Sequence, residues 1–145
     1  MSNYRLFGAE SSPYSLKVRA FLRYKGIDFD WVTRSSANDE EFSALAKTPS
    51  VPLLVSPDNP PNQDSTDILA KIESQHAEPS AVPANKLLAA LALILEDYAD
   101  EWLNKAMFAI RWGGLKADRE AAAQRTMEQL FDGKLPRTKK KTRDQ

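Results

Sequence analysis

The chain has no cysteine and a single histidine, His76, in 145 residues. Without cysteine there is no disulfide framework, no Cys-ligated zinc or iron–sulfur centre and no thiol nucleophile of the protein's own, so any sulfur chemistry must come from a ligand. One histidine argues against a His-rich metal site or a His-based triad. Long apolar runs are also missing. The run from Leu87 to Leu95 is about half of what a bilayer-crossing helix needs. The start, Met1-Ser2-Asn3-Tyr4-Arg5, lacks the apolar segment of a signal peptide. The expectation is a cytoplasmic protein with no membrane partner. With 5 Gly, 9 Pro, 42% hydrophobic and 28% charged residues, the composition is that of a soluble globular protein and excludes collagen-like and low-complexity classes.

Net charge is likewise absent, since 20 basic and 20 acidic residues cancel. They are unevenly spread. Residues 134–145 carry six cations (Lys134, Arg137, Lys139, Lys140, Lys141, Arg143) against Asp144, giving a tail of +5 and leaving −5 on residues 1–133. A mildly acidic body argues against nucleic acid as a partner, and a lysine-rich end without aromatics reads as a solvated, disordered tail.

Tyr4-Arg5-Leu6-Phe7-Gly8 reads as a short strand ending at glycine. Ser12-Pro13 then announces a helix, because serine accepts a backbone N–H at the N-cap and proline at the first helical position wastes no donor. Val18, Phe21 and Leu22 share one face of that helix and Gly26 stops it. Asp28 to Val32 alternates as a half-buried strand, predicting a β-α-β unit with parallel strands. Asn38 is expected to cap a short helix with an acidic first turn, Asp39, Glu40 and Glu41, and with Phe42 and Leu45 facing inward. Pro52 to Val55 reads as a buried strand, Ser56 to Pro61 as a turn, and Asn62-Gln63 as an unusually polar stub of a fourth strand. Asp64-Ser65 opens a third helix with Ile68, Leu69 and Ile72 as its core stripe. His76, near the end of that helix, is expected to do no more than favour its negative terminus. Ala77 to Ala84, with Pro79 and Pro83, reads as a linker. Asn85 caps a long helix running to Gly113-Gly114, with Leu87, Leu91, Ile94, Leu95, Tyr98 and Trp102 repeating at helical spacing, and a shorter helix spans about Asp118 to Phe131.

This order, with a proline opening the third strand and helices after a Pro-bearing linker, resembles the cytosolic glutathione S-transferase family. The resemblance covers most of the chain. Its most specific pieces are Ser11-Ser12-Pro13-Tyr14-Ser15-Leu16-Lys17-Val18-Arg19, Ser50-Val51-Pro52-Leu53-Leu54, and Asp64-Ser65 followed by Ile68-Leu69. It implies an α/β thioredoxin-like N-terminal domain (β-α-β-α-β-β-α) at residues 1–76, a linker at 77–84, an all-α C-terminal region at 85–133, shorter than usual for the family, and the basic tail at 134–145.

The resemblance also implies a detoxifying transferase that uses glutathione as co-substrate, with no metal. A free thiol with the acidity of cysteine, about 8.5, is mostly protonated at neutral pH, so the enzyme must favour the thiolate. Ser12 matches the family's serine. Its hydroxyl can donate to the thiolate while the helix N-terminus adds positive potential; the rival reading, of equal weight, is an N-cap alone. Ser11 and Ser15 are second choices for the catalytic hydroxyl. Val51, before a cis Pro52, would pair its backbone with the cysteinyl part of glutathione, and Asp64 and Ser65 would grip the ammonium and carboxylate of the γ-glutamyl arm.

Tyr98, Trp102, Phe108 and Trp112 are candidates to line a second site for a hydrophobic electrophile, although such a stripe more often forms core. Glu96, Asp97, Asp100 and Glu101 lack the spacing of a Ca²⁺ loop and read as a solvated face. A rival reading is a non-catalytic glutathione-binding or interaction module, its uncovered long helix favouring a homodimer or another partner.

Overall fold

A computed structural model of the chain describes residues 4–133; the tail at 134–145 lies outside the described residues. Four strands, β1 (Tyr4–Gly8), β2 (Phe29–Thr33), β3 (Leu53–Val55) and β4 (Asn62–Gln63), form one sheet in the order β2-β1-β3-β4. β1 runs parallel to β2 and antiparallel to β3, and β4 is antiparallel to β3. The helices are α1 (Pro13–Tyr24), α2 (Asp39–Leu45), α3 (Ser65–Gln75), α4 (Lys86–Tyr98), α5 (Asn104–Gly113) and α6 (Lys116–Leu130).

Successive strand residues point to opposite faces of a sheet, and β1 uses this to build two cores. Leu6 joins Val18 and Leu22 of α1, Leu54 of β3, and Ile68 and Ile72 of α3. Phe7 faces the other way and packs with Phe42 of α2 and Leu53, its ring edge-on to Phe42 at 5.7 Å. The sheet is thus covered by α1 and α3 on one side and by α2 on the other. Gly8 ends β1 under the Trp31 indole; a Cβ built there would lie 2.3 Å from the ring.

The linker is fastened rather than free. Lys25, its side chain fully buried, places its ammonium 2.6 Å from Glu73 and donates to the carbonyls of His76 and Pro79, both at 2.7 Å. The Glu73 carboxylate accepts in turn from the Ser80 hydroxyl and the Ala81 N–H.

The structure refines the expectations for the helices at three points. Asn38 makes no cap bond to α2; a 3₁₀ turn at Ser36–Asn38 precedes that helix, and the Asn38 amide instead closes the turn, accepting from the Ser35 N–H and donating to the Thr33 carbonyl. The long helix runs unbroken to Gly113 as expected, but a π-helical turn at Ala99–Leu103 lies within it, between α4 and α5. Of the two readings given for the apolar stripe, core or uncovered helix, the structure shows it uncovered: Leu87, Leu95 and Trp102 are 69%, 65% and 62% exposed, and no residue of α4, α5 or α6 is buried. Helical spacing records an apolar face and says nothing of what covers it.

Candidate ligand cleft

The loop before β3, the β4 strand and the start of α3 bound a cleft of about 500 Å³ lined by Val51, Pro52, Asp64 and Ser65, together with Tyr14 of α1 and Glu101 of the π turn. The Val51–Pro52 peptide is cis, and Val51 lies just before β3, whose pairing with β1 begins at Leu53. Four of the residues singled out from sequence therefore meet in one place. Asp64 caps α3 by accepting from the Thr66 N–H at 2.9 Å. It does so at φ 76°, a region that side-chain-bearing residues seldom occupy and that costs on the order of 1–3 kcal/mol.

Ser12 is half-buried at the N-terminus of α1 and is not among the residues lining this cleft. Its Oγ accepts from the Ser15 N–H at 3.2 Å, which leaves its own proton free to donate. Tyr14, two residues on, does line the cleft, but its hydroxyl is committed to the Asp100 carbonyl at 2.9 Å. Burial raises the pKa of that phenol, as do the nearby carboxylates of Asp100 and Glu101. Of the second choices, Ser15 is 0% exposed, so its hydroxyl meets no solvent. Ser11 faces a different groove, between the β1–α1 loop and α6, where its carbonyl accepts from Arg111.

Sequence reasoning missed three features. Lys47 brings a cation to the cleft opposite in sign to Asp64, Asp67 and Glu101; no pattern marked it. Gln63, read as part of a degraded strand, bonds through its side chain to the backbone of the loop before Val51. Lys17 ties the cleft to the helical region. Its ammonium lies 2.5 Å from Glu96 and 2.6 Å from Asp100 and donates to the Ser65 and Thr66 hydroxyls at 3.4 and 3.3 Å. Burial alone would lower the lysine pKa, but the two carboxylates outweigh it and raise the value. Burial pushes the Glu96 carboxyl up, and hydrogen bonds from Lys17 and Thr66 overcome that and hold it below the usual range. Glu96 and Asp100 are thus partners of a half-buried cation and not a solvated face.

Tyr98, Trp102, Phe108 and Trp112 are 40–62% exposed, and none of them lines this cleft. His76 has a partner beyond its helix terminus, the Tyr4 hydroxyl at 3.3 Å. Among the described residues no group of acidic or histidine side chains is placed to hold a metal, and no helix is long and apolar enough to cross a membrane.

A mixed four-stranded sheet with a cis-proline turn beside it, helices on both faces and a helical region behind defines a thioredoxin-like α/β unit joined to an all-α segment. A family model described as "Glutathione S-transferase, N-terminal domain" matches residues 6–80. The chain belongs to the glutathione S-transferase family. It is 29% identical over 136 residues to "Glutathione S-transferase U16" of Arabidopsis thaliana, covering 90% of this chain and 56% of that protein. It is also 29% identical over 127 residues to "Probable glutathione S-transferase GSTU6" of Oryza sativa subsp. japonica, covering 82% and 53%. The chain therefore spans just over half the length of these curated relatives. Among solved structures, a Tau class glutathione S-transferase from mango, Mangifera indica, superposes with a TM-score of 0.66 at 25% identity, covering 88% of this chain and 59% of that one.

Proposed function

We propose that this chain binds glutathione in the cleft beside the cis Val51–Pro52 turn and conjugates it through its thiolate sulfur to an electrophilic small molecule, acting in the cytoplasm. The observation that carries the reading is the meeting of Val51, Pro52, Asp64 and Ser65 in one cleft with Lys47. The charges suit a tripeptide with one ammonium and two carboxylates. Asp64 offers an anion to the α-ammonium, and the Ser65 hydroxyl at the start of α3 offers a donor to the α-carboxylate. Lys47 is left for the carboxylate at the other end, and the backbone of Val51 pairs with the central residue as an added strand does.

The sulfur is assigned to Ser12. Its hydroxyl proton, unused by the cap, donates to the thiolate, while the N-terminus of α1 supplies positive potential, so the thiol ionises below its free value of about 8.5. The proton leaves to solvent, and the thiolate then forms a carbon–sulfur bond as the electrophile releases its leaving group with the electron pair. The acceptor in this reading is an electrophile with an apolar body.

The test is glutathione affinity by calorimetry and conjugation of a chloronitrobenzene on wild type and Ser12→Ala. We expect the variant to bind within a few-fold of wild type and to conjugate about a hundredfold more slowly, as when one donor to a developing anion is removed. Equal rates would remove Ser12 from the chemistry. Binding without conjugation by the wild type would leave the non-catalytic module.

A further inference from the structure

The loop from Lys47 to Ser50 has no helix or strand of its own and is exposed along its length, yet it delivers Lys47, Thr48, Ser50 and then Val51 to the cleft. Its backbone is held by one side chain from outside it. Gln63 Oε1 accepts from the N–H groups of Lys47 and Thr48 at 2.7 and 3.1 Å. Gln63 Nε2 donates to the carbonyls of Thr48 and Ser50 at 2.9 and 2.8 Å. A primary amide has two good acceptor sites and two donor hydrogens, so this one is used to capacity on a single loop. β4, two residues long, adds little as a strand; Gln63 pairs there with Leu53, which aims its side chain back across the turn.

We propose that Gln63 is a positioning residue for glutathione: it locks the loop in the form that presents Lys47 and the Val51 backbone together, and so sets affinity and the preference for a peptide with a free C-terminal carboxylate. This rests on the glutathione reading above. Fixing the loop before binding removes an ordering cost that a mobile loop would meet on each association. The effect belongs to binding and not to the sulfur chemistry, since the hydrogen bonds of Gln63 go to Lys47, Thr48 and Ser50 and not to Ser12. Of the possible replacements, Gln63→Met keeps the length and removes all four bonds. Gln63→Glu keeps the two acceptors but sets a carboxylate oxygen against the Thr48 and Ser50 carbonyls.

The experiment uses the full chain and three readouts. Amide hydrogen exchange without ligand is expected to show Lys47 and Thr48 protected in the wild type and exchanging freely in Gln63→Met. Calorimetry is expected to show glutathione binding weakened about tenfold in both variants, with the preference for glutathione over its glycine amide largely lost. Steady-state kinetics should raise KM for glutathione by a similar factor and leave kcat within about twofold. Ile72→Val, a core change in α3, serves as a control that lowers stability without moving KM. Unchanged protection in Gln63→Met overturns the proposal, as does unchanged affinity in that variant while the wild type binds. A wild type that binds no glutathione while Lys47 and Thr48 lose protection in Gln63→Met overturns the function reading, and leaves the loop lock standing.

Discussion

Replacing Lys17 by methionine keeps the aliphatic stem and removes the ammonium from between Glu96 and Asp100. The three side chains are only 19%, 29% and 20% exposed, so the two carboxylates are left close together and largely out of water. Removing one member of a fully buried ion pair costs about 3–5 kcal/mol; with 19–29% of each side chain's surface still solvated, about 2–3 kcal/mol is expected here. For a chain of this size that is about 8 °C in Tm.

The dependence on pH is the sharper test. In the wild type the Glu96 carboxyl lies below its ordinary 4.5 and the Lys17 ammonium above its ordinary 10.5. The glutamate's contribution to stability is therefore present above pH 4.5 and lost as pH falls through the lower folded value. The lysine's contribution is present below 10.5 and lost as pH rises through the higher one. In Lys17→Met the Glu96 carboxyl keeps its burial but loses the ammonium that held it down, so its folded pKa rises and the destabilisation is relieved on acidification. Urea melts of both proteins from pH 7 to pH 4 should show a gap that narrows from about 2–3 to under about 1 kcal/mol. A gap of constant size, or one below about 0.5 kcal/mol at pH 7, would refute the assignment of Lys17 as the cation of this cluster.

Two further substitutions test the scaffold. Gly8→Ala drives a methyl group to 2.3 Å from the Trp31 ring; thermal melts should show a loss of about 1–3 kcal/mol as the indole is displaced, and a neutral result would mean that β2 yields freely. Lys25→Met strands the Glu73 carboxylate and the His76 and Pro79 carbonyls. A loss of about 3 kcal/mol in urea melts, with faster exchange of the Ala81 N–H, is expected; exchange at the wild-type rate would show that the linker is held by other contacts.

Local signals were the legible ones. Ser12-Pro13 marks the start of α1 because cap and first-turn chemistry act within four residues. Leu6 and Phe7 are adjacent strand residues that had to enter different cores. Val51-Pro52 and Asp64-Ser65 are assigned to one site by the family resemblance, and the fold brings the turn before β3 beside the start of α3, where both line the same cleft. What was not legible depends on pairs distant in sequence. Lys17 meets Glu96 and Asp100 across 79 and 83 positions, and no periodicity in α4 distinguishes a carboxylate facing a lysine from one facing water. Asn62-Gln63 reads as a polar stub of a fourth strand and is one; what polarity does not reveal is that the Gln63 side chain bonds to the adjoining loop. The apolar face of α4 and α5 was legible as apolar, but spacing alone left open whether it forms core or stays uncovered.

The Lys17 cluster also shows why the cleft cannot be understood from the α/β unit alone. The same ammonium touches Ser65, a residue lining the cleft, and Glu96 and Asp100, which belong to α4 and to the π turn. Asp100 uses its carbonyl as well, accepting from Tyr14, and the next residue, Glu101, lines the cleft itself. A π turn admits one extra residue per turn and so changes which side chains face a neighbour. Here that turn sets the backbone of Asp100 toward α1 while its carboxylate reaches Lys17. Movement of the helical segment would therefore alter the field at Ser65 and the position of Glu101 together, so ligand affinity and the docking of that segment are linked through a single half-buried cation.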